Sequence, residues 1–130
     1  MVAYCFTPVV GYSSVSSYVG NGSSDGPFVY TGFRPRFLLY KLYNSAGGDW
    51  VIFDSARGSY NLNNPKLAPS SSAIENEINI FGPSASSQGV DFLSNGFKFR
   101  DTTGGVSNGS GLNYIYYAVA ENPFQYARAR

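Results

Sequence analysis

Wherever apolar residues cluster in this chain, they alternate with a period of two, the repeat of an extended strand whose neighbouring side chains point to opposite sides. Over Arg36 to Tyr43, Phe37, Leu39, Lys41 and Tyr43 take one face while Leu38, Tyr40 and Leu42 take the other. Both faces are largely apolar. That predicts a central strand, covered on one side by an opposing sheet and on the other by a loop or a neighbour. Phe97 and Phe99 alternate with Lys98 and Arg100, the pattern of a half-buried strand. Asn113 to Glu121 sets Tyr114, Tyr116, Ala118 and Ala120 against Ile115, Tyr117 and Val119.

The breaks between these runs agree. Asn21-Gly22, Gly47-Gly48, Asn95-Gly96, Gly104-Gly105 and Asn108-Gly109 supply residues that accept positive φ, as hairpin and bulge turns require. Pro8, Pro27, Pro35, Pro65, Pro69, Pro83 and Pro123 leave no room for a long helix. Ser72-Ala73-Ile74-Glu75 fits a capping box, so one short helical turn near residues 71–77 is the most helix expected. Gly82 to Gly89 reads as a loop and Gln125 to Arg130 as an exposed tail. The expected fold is all-β, an antiparallel β-sandwich of the jelly-roll or concanavalin-like kind, in a single domain over residues 1–130.

Composition narrows the function classes. The chain has 130 residues, enough to bury about two-thirds of its unfolded surface without covalent staples. Cys5 is the single cysteine, so no internal disulfide forms, and its apolar neighbours predict a small buried hydrophobe. Charged residues make up 13% of the chain, about half the share in ordinary soluble domains. With a net charge of +1 there is no broad basic face for nucleic acid. Met1 to Gly11 carries neither a basic start nor a long apolar run, so no signal peptide is expected. Apolar stretches fall well short of the roughly 20 residues of a membrane helix, so no membrane insertion is expected either. Polar surface must come from Ser, Asn, Gly and Tyr, a palette suited to hydrogen bonding and stacking.

Histidine is absent, which removes imidazole-based triads and the commonest general base. One cysteine without imidazole cannot fill a zinc shell, and neither metal nor other cofactor is expected. Glu75 and Glu77 share a face of an extended strand, which would suit a glycosidase pair. A capping glutamate followed by a solvated one is the favoured reading, so no catalytic residue is assigned. The glycine-rich segments Gly20 to Gly26 and Gly104 to Gly111 lack the lysine and helix of a phosphate loop. One constellation remains for ligand binding: Trp50, Asp54, Arg57 and Tyr60, with Asn61 beside them. Trp50 and Asp54 face the same side of a strand, and Arg57 would pair with Asp54 across a Ser55-Ala56 turn. An indole for a pyranose face with an acid and a guanidinium for its hydroxyls makes a sugar platform. The favoured reading is nonetheless structural, a core tryptophan and an ion pair that locks a corner.

Several phrases resemble, in family order, a domain of tail-fibre and structural proteins of marine tailed bacteriophages. They are Gly20-Asn21-Gly22-Ser23, Asp25 to Pro35, Trp50 to Arg57, Asp91 to Lys98, and Tyr114 to Phe124. The resemblance implies a surface-exposed virion component that is often oligomeric and contacts host glycans or envelope proteins. The expected function is a non-catalytic adhesin-type domain recognising host cell-surface carbohydrate or envelope. The alternative is a structural subunit, a decoration or fibre-assembly module whose aromatic faces mediate oligomer contacts. Expected partners are further copies of the chain, a trimer foremost, with other virion proteins and a host glycan. The expected location is the virion surface after assembly in the host cytoplasm.

Overall fold

The alternating segments become eight strands in the computed structural model, which describes residues 1–46, 48–75, 89–101 and 106–124. They are β1 (Ser13–Val19), β2 (Phe28–Tyr30), β3 (Pro35–Leu42), β4 (Trp50–Asp54), β5 (Lys66–Leu67), β6 (Val90–Leu93), β7 (Gly96–Phe99) and β8 (Asn113–Ala120). The larger sheet runs β1-β8-β3-β4-β5 and the smaller β2-β7-β6, with antiparallel neighbours throughout. The fold is thus all-β, a sandwich of two antiparallel sheets. Among the described residues there is no helix. Over 71–75 the Ser71 N–H donates to the Ala68 carbonyl at 3.0 Å, and the Ala73 N–H to Ser71 Oγ at 3.2 Å. This local side-chain bond takes the place of the expected capping box. Residues 76 and 77, most of the 82–89 loop and the 125–130 tail lie outside the described residues.

The core is aromatic because each inner face alternates aromatic or branched residues with outward ones. The larger sheet contributes Tyr18, Leu38, Tyr40, Val51, Phe53, Tyr114 and Tyr116, and the smaller contributes Val29, Val90, Phe92, Phe97 and Phe99. Tyr18 stacks on Tyr114 with centroids 4.9 Å apart, while Phe97 meets Tyr116 edge-on at 5.2 Å. Tyr40 meets Phe99 edge-on at 5.0 Å, joining the two layers. These offset and perpendicular pairs suit the ring quadrupoles and add to the area each ring buries.

Two sequence expectations change. Gly96 was expected to supply a positive-φ hairpin residue, yet the β6–β7 turn is Ser94-Asn95 and Gly96 is the first residue of β7. Glycine is required there for space, since a Cβ would lie 2.2 Å from the Val29 carbonyl oxygen of the neighbouring strand. Cys5, expected to be buried, is exposed. It belongs to an N-terminal arm lying on the outside of the larger sheet, so its apolar neighbours do not enter the core.

Candidate functional site

The residues nominated from sequence separate into two places. Asp54 and Arg57 meet across the Ser55-Ala56 turn as expected, Arg57 Nε donating to Asp54 Oδ2 at 2.6 Å. Asp54 Oδ1 also accepts from the backbone N–H groups of Ala56 at 3.0 Å and Arg57 at 2.8 Å. Partial burial pushes this carboxyl up, but the hydrogen bonds and charge of Arg57, with the Ala56 N–H, outweigh it and hold Asp54 below the usual carboxylate range. The carboxylate is therefore consumed by its own turn. Trp50 lies at the opposite end of β4, four residues away, which at about 3.3 Å per residue is about 13 Å.

Tyr60 is exposed, while Asn61 acts as a strand surrogate. Its Nδ2 donates to the Phe92 carbonyl at 3.1 Å and its Oδ1 accepts the Phe92 N–H at 3.0 Å. Two residues on, Asn63 exchanges both backbone hydrogen bonds with Val90 at 2.9 Å. Residues 61–63 thereby close the outer edge of β6. The structure joins Asp54 with Arg57 and assigns Asn61 to the smaller sheet's edge, and it brings neither to Trp50.

What does surround Trp50 is the outer face of the larger sheet. Alternation sends Val51 and Phe53 inward, so Trp50 and Ile52 point outward, beside Leu39 and Lys41 of β3. Register extends one row across all five strands: Val15, Tyr117, Leu39, Ile52 and Leu67. The arm lies over this face, with Phe6 packed on Tyr117 at a centroid separation of 4.8 Å. Between arm and sheet is a groove of about 880 Å³, lined by Tyr4, Phe6, Leu39, Tyr43, Trp50 and Tyr117 among others. That volume is in the range of small-ligand sites. Lys41 is occupied: its Nζ donates to the Gly48 carbonyl and sits 5.8 Å from the Trp50 ring centroid, a cation–π contact. Sequence reasoning placed Ile115, Tyr117 and Leu39 on a second apolar face but did not nominate them. The signal was the double-sided apolar pattern of β3 and β8.

A second polar cluster is buried at one end of the core. Ser107 Oγ donates to Asp101 Oδ2 and Tyr18 OH to the Ser107 carbonyl, both at 2.8 Å. Asn108 Nδ2 faces the Asp101 carbonyl at 3.1 Å, the Ser23 carbonyl at 2.8 Å and Asn21 Oδ1 at 3.0 Å. Burial, then the negative charges nearby, keeps the Tyr18 and Tyr40 phenols protonated well above their ordinary range. Lys66, 1% exposed on the inner side of β5, is pushed down to about 8 by burial, against the opposing charge of Asp101.

The sign of that shift makes a prediction. Between pH 8 and the ordinary lysine value near 10.4, the folded chain has lost a proton that the unfolded chain retains, so stability rises with pH. The gain is up to about 3 kcal/mol. Above pH of about 10 the buried tyrosines reverse the trend, because their raised folded values let only the unfolded chain ionise. Urea midpoints across this range are expected to peak near pH 10, and Lys66→Met to remove the rising limb.

A family model described as a domain of unknown function (DUF7483) matches residues 1–123. No curated protein and no solved structure shows significant similarity to the chain.

Proposed function

The chain belongs to the DUF7483 family, a domain of unknown function, and from that premise we propose that it is a non-catalytic docking domain. Its outer sheet face and N-terminal arm seat against a neighbouring protein subunit, as in the virion assemblies whose proteins the sequence resembles. The observation that carries this reading is the row Val15, Tyr117, Leu39, Ile52 and Leu67, which crosses the whole sheet without a charge. A sheet face turned to water ordinarily alternates to polar residues. This row does not, although Ser17 and Lys41 lie beside it, and contiguous apolar surface of that kind marks interaction sites. The Asp54 carboxylate is held by its own turn and has no part in the docking.

A second reading, host-glycan adhesion, rests on Trp50 and Tyr43 lining the same groove, where an indole face and a phenol hydroxyl would engage a sugar ring. One reporter separates the two. Trp50 is the sole tryptophan and stands on β4, three strands from the β1 edge, so its emission reports the face. Subunit docking is expected to shift that emission to the blue as protein concentration rises. Ile115→Asp, an exposed position on β8, is expected to abolish the shift without altering the far-ultraviolet spectrum. An emission change driven by host-surface oligosaccharide at fixed dilute protein would favour adhesion. Emission that responds to neither overturns the docking reading.

A further inference from the structure

We propose that β1 is a self-pairing edge, through which a second copy of this chain continues the larger sheet about a two-fold axis. Hydrogen-bond parity locates the open groups. The Gly20 N–H donates to the Leu112 carbonyl and the Ala120 N–H to the Tyr12 carbonyl, both at 2.9 Å. In an antiparallel ladder such pairs recur at every second residue, so the even-numbered residues of β1 bond toward β8 and the odd-numbered ones face away. Ser13 obeys this rule: it exchanges backbone hydrogen bonds with Val9 at 3.0 and 2.9 Å on the side opposite β8. Beyond it, the N–H and C=O groups of Val15, Ser17 and Val19 point outward, and none of the described residues bonds them.

The other edges differ. β5 has two residues, β2 has three and follows Pro27, and β6 is closed by Asn61 and Asn63. Short length, proline and covering segments are how sheets protect an edge from pairing. β1 is seven residues of Ser, Val and Tyr with no charge and no proline, and its Val15 and Val19 side chains are exposed. It is a long edge without a guard.

The sequence also fits its own reverse. An antiparallel pair centred on Ser17 sets Ser17 against Ser17 of the second copy, and Val15 against Val19, twice. The three pairs share one parity, so all six N–H groups and all six C=O groups of the two copies are satisfied together. No like charges meet, and each valine finds a valine across the ladder. The contact is isologous, which makes a dimer, whereas the trimer expected from the resemblance needs a heterologous one. The pairing uses the backbone edge of β1, whereas docking uses side chains of the outer face, with Val15 and Ser17 belonging to both.

The test is sedimentation velocity on the full chain, paired with amide hydrogen exchange. A dimer is expected, with Val15, Ser17 and Val19 amides becoming protected as concentration rises. Ser17→Lys sets two ammonium groups opposite each other on the axis and should weaken dimerisation by at least about tenfold. Mixing Ser17→Lys with Ser17→Glu chains should restore it, while Leu67→Asp, at the opposite edge of the larger sheet, should leave it unchanged. A chain that stays monomeric, or a dimer in which those three amides exchange freely, overturns the proposal. Exchange on the unmodified chain decides the matter even where a variant fails to fold.

Discussion

Phe97→Ala should destabilise the folded chain by about 4 kcal/mol, a large share of a typical domain's stability. The ring is fully buried at the centre of the sandwich, against Tyr18 at 6.1 Å, Phe99 at 5.6 Å and Tyr116 at 5.2 Å between centroids. Its removal forfeits the transfer of an aromatic side chain from water and leaves a void that surrounding rings cannot fill without leaving their rotamers. Urea unfolding followed by circular dichroism gives the difference. Tyr30→Ala, at an exposed position of β2, is the control and should cost under about 1 kcal/mol. Equal losses at both sites would mean that the two sheets do not share this core.

Asn108→Ala should cost about 3 kcal/mol, although the side chain is short. Asn108 is 1% exposed, and its carboxamide ties three segments together. Oδ1 accepts the Asn21 N–H at 2.8 Å while Nδ2 serves Asn21 Oδ1 and the carbonyls of Ser23 and Asp101. Alanine leaves those groups without their partner in a site too buried for water to replace it fully. Asn108→Asp should be no better, since it keeps the acceptor, loses both donors and sets a charge among acceptors. The same unfolding measurement tests both. A loss below about 0.5 kcal/mol for either would mean that the 20–26 and 106–112 loops are held by their backbones alone.

The strands were legible in the sequence because their two-residue period is set by the pleat itself. That period alone puts Tyr114 with Tyr116, and Leu38 with Tyr40, on one face of their respective strands. The Asp54–Arg57 turn was equally local and formed as expected. What the sequence did not reveal depends on contacts between distant segments. Asn108 looked like half of a turn dipeptide, and its hub role exists only because the 20–26 loop folds over it. Asn61 looked available to a ligand, and only the approach of β6 converts its carboxamide into a piece of ladder. Cys5 and Phe6 carry the apolar signature of a core, which periodicity cannot distinguish from that of an arm laid over a sheet. Trp50 and Asp54 do share a face, but parity says nothing of separation along the strand.

The order of strands in the larger sheet constrains how the molecule comes into being. β8, the last of the described strands, lies between β1 and β3, which are among the first. Until it arrives the larger sheet is split, with β1 having no neighbour in it and β3 bare along one side. Synthesis therefore delivers a chain that cannot close its main layer until β8 leaves the ribosome, and closure then joins residues about a hundred positions apart, as in Ser13 with Val119. Such distant pairing is entropically slow, and premature termination ahead of Asn113 would leave the larger sheet split rather than merely weaken the domain.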